Sequence, residues 1–250
     1  MHKTTRKAKN ISGGKDFNIT TETSVSKSLD IHSKSKIGGR DAFSVVYNSR
    51  SADALAAYSL IHKDLKFCKT TLNLAVELAG GDLNSADSLY LRDEVDKNSD
   101  ILKALTVSFI ITYGKCYTQA DGRKVKLDSK DIFKNNSELK EIHEFLMHER
   151  NNYIAHAGNT DLETAKTLIL LDADQSRGEV PKLMTQSNDL YAFEESGLKP
   201  FIKLVDFVEE KLCLLLQKRV QKIKDNELKK VSDSYLYELA RNGKSLDIET

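Results

Sequence analysis

The sequence predicts a mainly α-helical (all-α) fold: an antiparallel four-helix up-and-down bundle with a small β-hairpin inserted before the last long helix. Two observations carry this. Apolar residues recur at steps of three and four along four long stretches, the period of one buried helical face. Connections of moderate length separate those stretches, and helices with one apolar stripe each bury it most simply around a single core.

The first stretch runs from about Ser51 to Ala79, with Leu55, Tyr58, Ile61, Leu65, Cys68, Leu72, Ala75 and Ala79 in helical phase. Gly80-Gly81 stops it. A polar connection with one short helix around Ala86 to Arg92 leads to the second, Lys97 to Thr118, where Ile101, Leu105, Phe109, Tyr113 and Cys116 form the stripe. Ala120-Asp121-Gly122 closes that helix, and Arg123 to Leu127 reads as a short strand or loop. Asn135 or Ser137, with Glu138 and Glu141 behind it, offers an N-cap and a dipole match for the third helix. There Leu139, Ile142, Leu146 and Tyr153 share a face with Glu149, a buried-face carboxylate that needs a partner, and Gly158 is the stop.

Thr167 to Leu171 and Val180 to Thr185 are short apolar runs flanking the turn-rich segment Asp172 to Gly178, so a small antiparallel hairpin is expected, with Pro181 making its second strand an edge. The last long helix spans about Leu198 to Lys230, buries Phe201, Leu204, Val208, Leu212, Leu215 and Ile223, and tolerates Pro200 in its first turn. Tyr235, Leu236, Tyr237 and Leu239 suggest a short amphipathic helix in a C-terminal segment, 231–250, that folds back or engages a partner.

Composition bounds the function. With 40% hydrophobic and 30% charged residues, 250 residues suffice for one good core, and the most apolar run, Ile101 to Tyr113, is shorter than the roughly 20 residues a membrane span needs. The N-terminus has no apolar leader, so a cytoplasmic location and no membrane partner are expected. Cys68, Cys116 and Cys213 are odd in number, far apart and set in apolar patterns, as buried reduced thiols are. Net charge is +1, yet residues 1–40 hold nine Lys or Arg against three Asp or Glu, leaving the remainder acidic by five. That segment is rich in Ser, Thr, Asn and Gly, which predicts a disordered basic arm over 1–40, free in solvent or screened onto RNA phosphates, ahead of the bundle at 41–230.

The segment Glu149-Arg150-Asn151-Asn152-Tyr153-Ile154-Ala155-His156-Ala157-Gly158 gathers a fixed cation, two amides and an imidazole at a helix end. Arginine grips two phosphate oxygens at once, and histidine moves a proton near neutrality, which suits phosphodiester chemistry without a metal or other cofactor. Arg150, five intervening residues and His156, with Asn151 after the arginine, resemble the R-x(4–6)-H signature of the HEPN superfamily, many of whose members are ribonucleases. Tyr-Ile-Ala-His is similar to the end of the R-[ND]-K-x-x-A-H variant of its abortive-infection and toxin-like members, with Asn152 where lysine is frequent. The motif covers residues 150–156; helix number and motif position extend the resemblance over about 45–230.

The resemblance implies RNA cleavage by attack of a ribose 2′-hydroxyl on its own phosphate, in a toxin or phage-defence role. His156 would move the proton, Arg150 would stabilise charge on the non-bridging oxygens, and Asn151 would orient phosphate or imidazole. Asn152, Tyr153 and His143 join these as substrate contacts, His143 because it lies seven residues before Arg150 on the same helical face. Six residues of α-helix turn through 600°, so Arg150 and His156 diverge unless the helix unwinds before Gly158. The family's answer is a homodimer whose two motifs form one composite site, with an antitoxin or defence protein as a further partner. The alternative is a non-catalytic HEPN-like module binding nucleotide, RNA or protein.

Ordinary helix chemistry also accounts for these residues: Arg150 pairing with Glu149 or Glu144, Asn152 bonding His156, and His156 capping carbonyls. Zinc is not expected, because His143 and His148 are five apart where an H-E-x-x-H helix needs four. Gly38-Gly39-Arg40 and Gly80-Gly81-Asp82 read as turns. Lys218, Arg219, Lys222, Lys224, Lys229 and Lys230 read first as a solvated helix end and second as an RNA contact.

Overall fold

Helical periodicity dominates the chain, and helices dominate the computed structural model, which describes residues 3–8, 19–25, 31–79, 97–154, 164–171, 173, 182–188 and 195–248. Helices hold most of the described residues and strands form only small sheets. Two compact units divide the chain: Met1–His62, Asp121–Val125 and Glu210–Thr250 form the first, Lys63–Ala120 and Lys126–Glu209 the second.

In the first unit, β1 (Lys3–Ala8), β2 (Ile19–Val25), β3 (Ile31–Ile37) and β4 (Arg40–Ala42) make an antiparallel sheet in that order. Strands therefore stand inside the segment for which composition predicts disorder. Their backbone register sets Ile19 opposite Ile37 and Val25 opposite Ile31 across β2 and β3. Gly38 and Gly39 both have positive φ, +57° and +81°, as a two-residue hairpin turn between Ile37 and Arg40 requires.

β5 (Tyr47–Asn48) leads into α1 (Arg50–Ala79) and pairs in parallel with β8 (Leu246–Asp247), which follows α6 (Asp233–Arg241). Ser49 caps α1 by accepting from the Ala52 N–H at 3.1 Å, and Glu227 accepts from the hydroxyls of both Tyr47 and Ser49. The C-terminal helix expected around Tyr235 to Leu239 is thus present and folds back. Leu239 and Leu246 are buried, and Tyr237 meets Phe43 edge-on at 6.3 Å.

The second unit holds the later part of α1, α2 (Lys97–Lys115), α3 (Ser129–Ile132), α4 (Ser137–Glu149), the hairpin β6 (Thr164–Leu170) with β7 (Lys182–Asn188), and the first part of α5 (Glu195–Asn226). Leu65, Cys68, Leu72, Phe109, Leu146 and Leu204 are essentially inaccessible. Lys69 pairs with Asp206 and Lys203 with Glu138, at 2.5 and 3.0 Å, linking α5 to α1 and α4.

Several boundaries move. The α4 cap is Asn136, between the two residues the sequence offers, accepting from the Leu139 N–H at 3.0 Å. α5 starts at Glu195, so Pro200 sits past the first turn, where its missing N–H interrupts the ladder. Residues 123–127 form no strand; Lys124 takes φ +56° and Leu127 donates to Cys116 O at 2.8 Å. The short helix expected at 86–92 lies outside the described residues. Among the described residues no helix is long and apolar enough to cross a membrane.

Candidate functional site

α4 buries Leu139, His143, Leu146 and Glu149, a stripe at steps of four and three. At Arg150 the α-helix gives way to a π turn, Arg150–Ile154. The Arg150 N–H still donates to both Leu146 O and Met147 O, and the turn then widens. Single π turns interrupting helices recur at functional sites. The departure from α geometry thus falls at the first residue of the R-x(5)-H segment.

The Arg150 side chain runs across α2. Its stem lies so close over Gly114 that a Cβ there would stand 2.2 Å from Arg150 Cδ. At the far end Nη1 donates to Asn151 Oδ1 at 2.8 Å. Arg150 and Asn151 are therefore brought together, the guanidinium fixed at stem and head. Asn152, exposed, turns the other way and hydrogen-bonds His148, with Nδ2 2.9 Å from the ring Nδ1. Tyr153 contributes its backbone to the π turn, while its side chain, His156 and Gly158 lie outside the described residues.

His143 departs from the expectation of a rim residue lining a phosphate site. It is 5% exposed, walled by Tyr117 and Phe133 with ring centres 4.3 and 4.9 Å away, and its Nδ1 lies 3.0 Å from the Tyr113 hydroxyl. The Tyr113 and Tyr117 hydroxyls are 3.4 Å apart. Burial drives the His143 pKa down to about 4, and burial likewise keeps both tyrosines protonated far above neutrality. The Tyr113 hydroxyl donates to Tyr117, which leaves its oxygen free to accept from the Nδ1–H tautomer of the neutral His143 ring. Shared azimuth with Arg150 was the sequence signal; it misleads because the long arginine stem reaches off the helix, whereas the ring two turns earlier is covered by aromatic neighbours.

Gly114 escapes the sequence reading, and His148 enters it only through the metal spacing. Gly114 does leave a trace: a lone glycine inside the apolar helical run Ile110-Ile111-Thr112-Tyr113-Gly114 is costly unless packing requires it. Cys68 and Cys116 are buried thiols, and burial raises the Cys68 pKa far above its usual range; Cys213 is only half-buried, with Sγ 3.7 Å from His62 Nε2. Among the described residues no three His, Cys, Asp or Glu side chains are grouped to hold a metal ion. Compared with family models, curated proteins and solved structures, the chain has no significant match.

Proposed function

We propose that the chain is a HEPN-like, metal-independent endoribonuclease of the cytoplasm, with α1, α2, α4 and α5 as the long helices of an up-and-down bundle and a homodimer as the active form. The observation that carries the reading is Arg150, standing at a π turn with its stem packed on Gly114 and its guanidinium oriented by Asn151, at the head of the R-x(5)-H motif. In this reading His156 takes the ribose 2′-hydroxyl proton, the new O–P bond closes a 2′,3′-cyclic phosphate, and the leaving 5′-oxygen is protonated. Arg150 from one or both protomers stabilises the charge that builds on the non-bridging oxygens. His143, buried and neutral, supports the helix carrying the motif instead of touching RNA. A toxin or phage-defence role, held in check by a partner protein, follows the same resemblance.

The test is labelled RNA incubated in excess chelator. We expect fragments ending in 2′,3′-cyclic phosphate, no cleavage of DNA, and a fall of about 10²-fold or more for His156→Ala and for Arg150→Ala. Full cleavage by either variant would remove the assignment; RNA that binds but stays intact would favour the non-catalytic module.

A further inference from the structure

We infer that Gly114 is a positioning residue: the bare Cα in the last turn of α2 is the seat that aims the Arg150 guanidinium. The inference rests on reading Arg150 as the phosphate-gripping cation, and it names what holds that cation in place. A Cβ on Gly114 would stand 2.2 Å from Arg150 Cδ, 2.8 Å from Nε and 3.2 Å from Cγ. Ordinary contact between such atoms is about 3.5–4.0 Å, so any residue other than glycine forces something to move.

The α2 backbone is the part least free to do so. The Gly114 carbonyl accepts from the Tyr117 N–H at 3.1 Å and from the Thr118 hydroxyl at 2.8 Å. One residue earlier, the buried Tyr113 hydroxyl meets His143 of α4 at 3.0 Å, fixing the spacing of the two helices at this level. The arginine stem is the movable element. A methyl group at 114 drives it off α2, and the guanidinium loses the geometry that its bond to Asn151 Oδ1 now completes. Holding a catalytic cation at both stem and head removes the reorganisation it would otherwise undergo as charge develops on phosphate.

The experiment compares the full chain with Gly114→Ala, Arg150→Ala and the double variant. By NMR, the Arg150 Nε–H resonance, identified by its disappearance in Arg150→Ala, should move in Gly114→Ala to the position and mobility of a free arginine side chain. An unchanged resonance overturns the inference. On RNA, kcat/KM of Gly114→Ala should fall about tenfold or more, as misplacement of a reacting group by about 1 Å can do; undiminished cleavage by Gly114→Ala overturns it too. Should Gly114→Ala fail to fold, the double variant should fold and melt no lower than Arg150→Ala, because the overlapping atoms are gone. A double variant that also fails to fold shows that the clash lies elsewhere and overturns the seat. If the wild-type protein leaves RNA intact, the nuclease reading falls by itself, while the resonance and the melting comparison still decide the role of Gly114.

Discussion

A histidine enclosed by aromatic rings ties protein stability to pH in a definite direction. In the fold the His143 pKa is lowered from 6.5 to about 4 by burial, so the folded chain resists a proton that the unfolded chain accepts. Above pH 6.5 both forms are neutral and the full stability is present. Between pH 6.5 and about 4 the unfolded state alone takes up the proton, and stability falls by up to about 1.4 kcal/mol per pH unit from this group. Urea unfolding at pH 7 and pH 4.5 should show a loss that His143→Gln lessens by an amount on the order of 2 kcal/mol. An identical loss in both proteins would mean that His143 titrates normally.

Among the elements, α1 and the end of α5 are joined by one carboxylate. Glu227 accepts from the hydroxyls of Tyr47 and Ser49, just before α1, and hydrogen bonds from Tyr47, the largest cause, then Ser51 and Ser49 hold its pKa below the usual carboxylate range. The sign follows: this contribution is present above the ordinary carboxylate pKa and is lost as pH falls through the lowered one. Glu227→Gln and Tyr47→Phe should each lower stability by about 1 kcal/mol at pH 7 and couple in a double-mutant cycle; additive losses would separate the two residues. Sequence alone could not pair residues 180 apart, whereas it located the long helices, because a stripe such as Leu65, Cys68 and Leu72 repeats its signal turn after turn. The hairpin was legible from two apolar runs about a turn-rich spacer, though its strands extend further, to Thr164 and Asn188. The π turn has no such signal, since one widened turn leaves no periodicity to read. Of the candidate site, Arg150 and Asn151 were legible from residue type, but the burial of His143 required knowing that Tyr117 and Phe133 cover it.

Across the whole molecule the charge divides unevenly. The first unit holds 21 Lys and Arg against 13 Asp and Glu, the second 17 against 24, so the unit that carries Arg150 is the acidic one. At physiological salt the Debye length is about 8 Å, which leaves the guanidinium effective at contact distance while the surrounding negative charge still disfavours a polyanion approaching without other help. The sequence expectation that the basic N-terminal segment screens onto RNA phosphates names one source of that help, Lys3, Arg6, Lys7 and Lys9 among them. Each phosphate contact to a single strand adds about 0.7 to the slope of log affinity against log salt. Replacing those four by glutamine should therefore lower the slope by as much as about 3 and weaken RNA binding mainly at low salt, with kcat at saturating RNA little changed. Fluorescence anisotropy titrations of a labelled single strand from 50 to about 300 mM salt measure this directly. An unaltered slope would place the electrostatic contacts elsewhere, the basic end of α5 from Lys218 to Lys230 being the next segment to neutralise.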